Sequence, residues 1–245
     1  MRQRTVLILI AFFLVAVAVP ASVVIANYHR TPAAGLDYPA MLAKMLPGGV
    51  FTAAPGGAGT PSTPAGTPMA KPVYLGQDGR AFTIEQAEAG FFTGAGANGH
   101  LVVVSWKGQA HAEGFYNVAA AVFDAKGKRL TGEVLYLTAD EGRTVLFTGK
   151  GRTYPGYAGS TTYQGSSEWH GGLYAAGAKW EQLWPADPAA FWRDRAAEVT
   201  ADGFTVYERV PVPGAVPGQT IPDYQSVLAY HMVWDPGTES LTQTK

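Results

Sequence analysis

An uncharged apolar segment near the N-terminus constrains this chain more than any other feature. Thr5–Ala26 contains no charged residue. At about 1.5 Å per residue, a helix of roughly 22 residues spans about 33 Å, enough to cross a hydrocarbon core of about 30 Å. Arg2 and Arg4 precede the segment, and cationic residues favour the cytoplasmic side. The sequence therefore predicts a single-pass helix in the bacterial inner membrane, with a cytoplasmic N-terminus and a periplasmic main domain.

The same segment also fits a cleaved signal peptide. The apolar stretch would then be Val6–Val19, with a cleavage site at Val19-Pro20-Ala21. Both alternatives place the rest of the chain outside the cytoplasm. Only the membrane anchor keeps it attached to the bilayer.

Composition excludes several classes of function. Lys and Arg total 18 against 19 for Asp and Glu, so the chain lacks the basic excess of a nucleic-acid-binding protein. Charged residues make up only 15% of the chain, well below the usual quarter, and such a surface is suited to burial against other proteins. The absence of cysteine excludes disulfides, thiolate zinc sites and cysteine-ligated iron–sulfur clusters.

Changes in composition divide the chain into three parts. Residues 1–30 hold the cytoplasmic start and the predicted membrane helix. Residues 31–72 hold a short predicted helix, capped near Asp37 with Pro39 in its first turn, and then a Gly- and Pro-rich linker. The Met and Leu residues of that helix suit the membrane surface, a partner or a core. Residues 73–245 form the predicted periplasmic β-rich domain.

Short apolar runs separated by turns predict antiparallel β structure in this third part. Asp124–Lys128 has the composition of a hairpin turn, with Gly127 at the left-handed position. Val102–Val104 is apolar at successive positions, so its sheet should be covered on both faces. The predicted meander consists of His100–Trp106, Ala110–Phe123, Arg129–Thr138 and Arg143–Thr148.

The remainder of the domain shows weaker patterns. Gly149 to Gly177 is rich in Gly, Ser and Tyr, which favours long loops or short irregular strands. A helix is predicted from Asp187, its N-cap, to about Val199, followed by closing strands at Phe204–Val210 and Val227–Trp234. The predicted fold is mainly β: one N-terminal transmembrane helix, then an antiparallel β-sandwich or barrel-like domain with one or two short helices.

Motifs that would indicate a catalytic or cofactor site are weak. Gly94–Gly99 has the spacing of a dinucleotide-binding loop, but a β-branched run follows where that motif needs a helix, so we predict a hairpin loop. Pairing around Gly108-Gln109 would separate His100 and His111 by about 15 Å, too far for one metal ion. Glu168-Trp169-His170 lies near several serines, but Gly-x-Ser-x-Gly is absent. We predict no cofactor, no metal and no catalytic residue.

Aromatic residues crowd into a segment of about forty residues. Spaced through Gly-rich sequence, they could form a stacking platform for sugars, the anchors of a protein interface, or a local core. The candidate ligand- or partner-binding residues are Tyr154, Tyr157, Tyr163, Trp169, His170, Tyr174, Trp180, Trp184 and Trp192.

These observations lead to one main functional hypothesis and two alternatives. The main hypothesis is a non-catalytic, membrane-anchored accessory or structural subunit of a larger bacterial membrane protein complex. Its partners would be the lipid bilayer and other membrane-protein subunits, contacted through Thr5–Ala26 and the β domain, and no nucleic acid. The first alternative is a membrane-tethered module that binds cell-envelope glycan. The second is an envelope hydrolase.

Overall fold

The computed structural model describes residues 35–46, 48–55, 71–94, 98–107, 116–138, 141–163, 166–212 and 224–245. The predicted membrane helix Thr5–Ala26 lies outside these residues. Among the helices that the structure does describe, none is long and apolar enough to cross a membrane. The membrane assignment therefore stays a prediction.

The prediction of a mainly β, antiparallel domain is confirmed. The described residues form three antiparallel sheets and two short helices. The helices are α1 (Tyr38–Met45) and α2 (Pro188–Asp194). Sheet A contains β1 (Thr52–Ala53), β2 (Val73–Leu75), β3 (Ala81–Gly90), β4 (Gly99–Lys107), β5 (Tyr116–Phe123) and β6 (Leu135–Thr138), in that order.

The other two sheets follow along the chain. Sheet B contains β7 (Glu141–Thr148), β8 (Thr153–Tyr163), β9 (Ser166–Ala175) and β10 (Glu181–Trp184), in the order β10-β9-β8-β7. Sheet C contains β11 (Arg195–Val199), β12 (Gly203–Pro211), β13 (Tyr224–Asp235) and β14 (Ser240–Thr244), in that order.

Three apolar interfaces stack these elements into layers. Helix α1 packs on one face of sheet A, where Val102 and Val104 are buried. The opposite face, represented by Leu101 and Val103, packs against sheet B. The far side of sheet B packs on sheet C through a third cluster that includes Phe204. The predicted covering of the sheet on both faces is therefore confirmed. Because each described sheet ends in two different edge strands, the architecture is a stacked sandwich, not a closed barrel.

Helix α1 is part of the core of the β domain. Its N-terminus is capped as predicted, since the Asp37 side chain accepts a hydrogen bond from the backbone N–H of Ala40 at 3.1 Å. Met41, Leu42 and Met45 are almost completely buried against sheet A. Of the three locations open to this helix from sequence, the structure shows the core.

Side chains of β6 and of the connection between β5 and β6 also hold the C-terminal end of α1 through its backbone. The Arg129 guanidinium donates to the carbonyl of Lys44, and the Tyr136 hydroxyl donates to the carbonyl of Met45, each at 2.8 Å. These carbonyls lie in the last turn of the helix, where intrahelical donors run out. The buried face of α1 and these two hydrogen bonds therefore bind the helix to the domain that follows it.

The linker returns to the place where it starts. Strand β1 precedes it and β2 follows it, and these two strands pair antiparallel, with Thr52 opposite Leu75. The backbone N–H of Ala54 donates to the carbonyl of Val73 at 3.0 Å. Since both ends of the linker lie at one edge of sheet A, its length does not separate α1 from the β domain.

The segment from Gly149 to Gly177 differs from its prediction. The expectation of long loops or short irregular strands was wrong, because β8 and β9 have 11 and 10 residues. The glycines allow close contacts both within sheet B and with sheet C. A Cβ on Gly156 would lie 2.4 Å from the Phe147 ring of β7 and 3.1 Å from the Phe204 ring of sheet C. Gly171 has a φ of +138°, and a Cβ there would lie 2.1 Å from the carbonyl oxygen of Tyr157 on the neighbouring strand β8. Glycine in this segment therefore indicates closely packed strands and not loops.

Two further predictions need correction. The helix predicted to reach Val199 ends at Asp194, because Arg195–Val199 pairs with β12 as strand β11; its predicted cap at Asp187 is confirmed. The predicted four-stranded meander divides after β6, because β7 pairs with β8 in sheet B. A short sequence gap between strands does not specify whether the chain returns to one sheet or crosses to the next.

The histidine register also differs from its prediction. A turn at Gly108-Gln109 would place Trp106 opposite His111 and His100 opposite Asn117. In the structure Trp106 pairs with Asn117, and His100 pairs with Phe123. The connection between β4 and β5 is therefore longer than a turn at Gly108-Gln109, and His111 lies outside the described residues. Register shifts of this kind follow from loop length, which the strand pattern leaves open.

Shortening a buried side chain of α1 should destabilise the whole β domain. Leu42→Ala removes a fully buried side chain between α1 and sheet A and should lower the free energy of unfolding by about 2–5 kcal/mol. Ala43→Ser, on the exposed side of the same helix, is the matched control and should change it by less than about 1 kcal/mol. Urea denaturation of the full chain in detergent, followed by tryptophan fluorescence, measures both. An unchanged midpoint for Leu42→Ala would contradict a shared core.

Candidate functional site

The nine residues predicted to bind a ligand or partner do not form one surface. They lie on strands β8, β9 and β10, on α2 and on the connections between them. Some face the A–B interface and others face the B–C interface, so sheet B separates them. The side chain of Tyr163 lies outside what the structure describes. The remaining eight fall into four environments.

Tyr157 and Tyr174 belong to the core between sheets A and B. Both rings are buried, and burial raises the pKa of each phenol above its ordinary value. The Tyr157 hydroxyl lies over Gly142 and has no hydrogen-bond partner among the described residues. A narrow apolar cavity beside these rings has room for about one water molecule. Neither ring is accessible to a large ligand at the surface.

Trp184 and Trp192 lie in an aromatic cluster around α2. The Trp184 ring centroid is 4.5 Å from that of Phe204, 4.9 Å from Phe191 and 6.2 Å from Trp192. Phe191 is buried, whereas Trp184 and Trp192 are partly exposed. Contacts of this geometry stabilise packing beyond the area they bury. The cluster joins the end of sheet B to sheet C through α2.

Tyr154 joins sheets B and C at a polar contact. Its hydroxyl donates to Oε2 of Glu239 at 3.1 Å, and the backbone N–H of Lys150 donates to Oε1 at 2.8 Å. Burial and then the neighbouring carboxylate raise the pKa of Tyr154. Glu239 has a φ of +52°, which is unfavourable for a residue with a side chain. The turn between β13 and β14 is therefore held against the turn between β7 and β8.

Trp169, His170 and Trp180 form the last group, and each is partly exposed on sheet B or next to it. Burial lowers the pKa of His170, and the carboxylate of Glu168 opposes that shift. The Trp180 indole donates to the carbonyl of Glu133 at 3.2 Å and so contacts the segment that leads into β6. Their ability to bind a ligand or partner stays a prediction.

Exposed apolar residues that the sequence analysis did not select lie on other strands. Tyr136 on β6 is 55% exposed, and Val227 and Leu228 on β13 are 46% and 54% exposed. All three occur in apolar runs typical of buried strands, so no sequence signal separated them from core residues. In the described part of the chain, no group of three or more metal-ligating side chains comes together.

Comparison with known proteins adds no relative. No protein-family model, no curated protein and no solved structure matches this chain.

Acid should destabilise this protein partly through His170. Because burial holds the His170 pKa below 6.5, the unfolded chain binds the proton more readily as pH falls, and stability drops below that pH. His170→Gln should therefore lose less unfolding free energy than wild type between about pH 7.5 and 5.5. Glu168→Gln removes the carboxylate that raises this pKa and should increase the acid loss. Urea titrations at several pH values test this, and equal losses in wild type and His170→Gln would contradict it.

Substitutions at Glu239 should separate the contribution of its hydrogen bonds to stability from the cost of its backbone conformation. Glu239→Ala loses both contacts and keeps the unfavourable φ, so we expect a loss of about 1–3 kcal/mol. Glu239→Gly loses the same contacts but accepts positive φ, and should be more stable than Glu239→Ala by about 1 kcal/mol. Thermal unfolding compares the two variants, and a less stable Gly variant would disprove the strain argument.

Proposed function

We propose that this chain is a non-catalytic, membrane-anchored accessory or structural subunit of a larger bacterial membrane protein complex. Its three-sheet domain packs on the periplasmic face of that complex. The observation that carries this proposal is the packing of α1 into the core of sheet A. That contact determines how far the domain can lie from the predicted membrane helix.

The tether between helix and domain is short. Roughly ten residues separate Ala26 from Asp37, and a fully extended chain of that length spans at most about 35–40 Å. If α1 lay on the membrane, the linker before β2 would add to this reach. Because α1 packs on sheet A and β1 pairs with β2, the linker adds nothing to the distance that the domain can lie from Ala26. The domain is therefore kept near the bilayer surface, where the periplasmic parts of membrane proteins lie.

Surface properties agree with a role in protein assembly. Only 15% of the residues are charged, so burial against another subunit carries a small desolvation penalty. Exposed apolar side chains on β6 and β13 add contact area of the kind that protein interfaces use. The aromatic residues first considered for glycan binding contribute mainly to packing between layers. That distribution supports the subunit hypothesis over a sugar-stacking platform.

Native electrophoresis tests the assembly directly. The full chain, extracted with a mild detergent, should migrate with other subunits and not as a lone small species. A variant whose Thr5–Ala26 segment is replaced by a leucine helix of equal length keeps the anchor but loses specific helix contacts, and should show weaker association. Retention of the wild-type domain on peptidoglycan beads, without any co-migrating protein, would favour the glycan-binding alternative instead.

Topology can be measured because the chain has no native cysteine. Single substitutions Gln3→Cys and Ala201→Cys place one thiol on each side of the predicted membrane helix, and Ala201 is exposed in the turn before β12. A membrane-impermeant maleimide added to spheroplasts should label Ala201→Cys at once and Gln3→Cys only after lysis. Release of the labelled domain by carbonate would disprove the anchor.

A further inference from the structure

Strand β14 is an unprotected edge of sheet C. It ends the sheet order, pairs with β13 on one side, and has no charged residue or proline between Ser240 and Thr244. Its register with β13 runs from Ser240 opposite Asp235 to Thr244 opposite His231 without a bulge. Unpaired N–H and C=O groups along such an edge favour pairing with another strand, and proteins normally block them with charge, proline or irregularity.

The other edge strands carry features that discourage pairing. Strand β7 contains Arg143, and β11 contains Arg195 and Glu198. Strand β10 contains Glu181 and an irregular register, and β1 is only two residues long. Strand β6 is uncharged, but its Tyr136 side chain is bound to the backbone of α1. Among the described sheets, β14 is therefore the edge best suited to accept a strand.

We propose that β14 pairs antiparallel with β14 of a second copy of this chain, around a two-fold axis at Thr242. The two C sheets then form one continuous sheet of eight strands. In this register Ser240 faces Thr244 of the second copy, Leu241 faces Gln243, and Thr242 faces Thr242. Pairs of Thr and Ser across antiparallel strands are favourable, and no like charges meet.

Charge complementarity selects a second copy as the occupant. The same register brings Lys245 of each chain beside Glu239 of the other, in the turn that precedes β14. The Glu239 carboxylate already accepts one hydrogen bond from Tyr154 and one from Lys150, and a Lys245 ammonium group would add a charged donor to its remaining lone pairs. Two opposite-charge pairs would then lie at the ends of the strand pair. Both residues flank β14 directly in the sequence. An unrelated strand would need to supply the matching acid and base at the same separation, whereas the two-fold axis supplies them automatically.

The faces of the strand also match across the axis. Leu241 lies opposite Trp234 and packs against the apolar cluster between sheets B and C. Thr242 and Thr244 alternate with it, so they lie on the other face, beside Val233 and His231. Pairing around Thr242 puts the face that carries Leu241 on the same side of the joined sheet in both copies. The second sheet therefore continues the first without turning its inner face to solvent.

A pair of five-residue strands is a small interface by itself. Anchoring both copies in one membrane raises their effective concentration, and in this respect the inference rests on the proposed function. The strand pairing does not depend on the identity of any other subunit. The test is therefore made in membranes, with anchoring measured separately in the same samples.

Cysteine crosslinking tests the register. Directly opposed residues of antiparallel strands have Cα atoms about 4.5–5.5 Å apart, within the range that a disulfide spans. The full chain with Thr242→Cys, oxidised in membranes with copper phenanthroline, should give a band at twice the monomer mass that disappears on reduction. Ala201→Cys is the exposed control and should stay monomeric. A Thr242→Cys adduct with a different protein, or none at all, would overturn the proposal.

A charge substitution tests the same contact without a covalent bond. Thr242→Lys places two like charges opposite each other across the axis and should reduce dimer, measured by a homobifunctional crosslinker, by at least about five-fold. Gln225→Lys adds the same charge at an exposed position of β13 and should leave the dimer unchanged. A dimer that survives Thr242→Lys would overturn the proposal, because it would use another surface. Carbonate extraction of each sample reports the anchor independently.

Discussion

The packing of sheet B between two other sheets is the constraint on which the rest of this structure depends. A sheet that is covered on both faces needs small residues where neighbouring backbones and rings approach closely. Gly156 provides such a position, because a side chain there would overlap the Phe147 ring of the neighbouring strand and press on the Phe204 ring of sheet C. Replacing it with a larger residue would push apart the B–C interface, and sheet C would lose the surface that covers its inner face.

This constraint also explains the aromatic residues. Rings fill the space that the glycines leave open, which is why Tyr157 and Tyr174 face sheet A while Trp184 and Phe204 meet near sheet C. An arrangement that places aromatic residues on both sides of one sheet stabilises three layers at once. The same arrangement prevents those residues from forming a single flat binding surface.

Contacts with other molecules must therefore use the outer faces and edges of the three stacked sheets. Helix α1 covers sheet A on the side from which the predicted tether arrives, and sheet C lies two layers away, at about 10 Å per layer. The exposed residues of β13 and the open edge of β14 are thus on the layer farthest from α1. In the function proposed above, the chain is anchored at the α1 end and makes contacts at the other.

Local sequence chemistry by itself determined the strand-rich class, the caps of both helices and the apolar character of Thr5–Ala26. The backbone N–H groups of Ala40 and Ala190 donate to the side chains of Asp37 and Asp187, three positions earlier, and short apolar runs lie between turns; both patterns involve only neighbours in the chain. Tertiary structure decided the rest. Whether Gly171 belongs to a loop or a buried strand, whether β7 joins sheet A or sheet B, and whether Tyr154 is a ligand anchor or a core residue depend on contacts between distant segments. Those contacts leave no local periodicity, because each follows from the layers that pack on either side of sheet B.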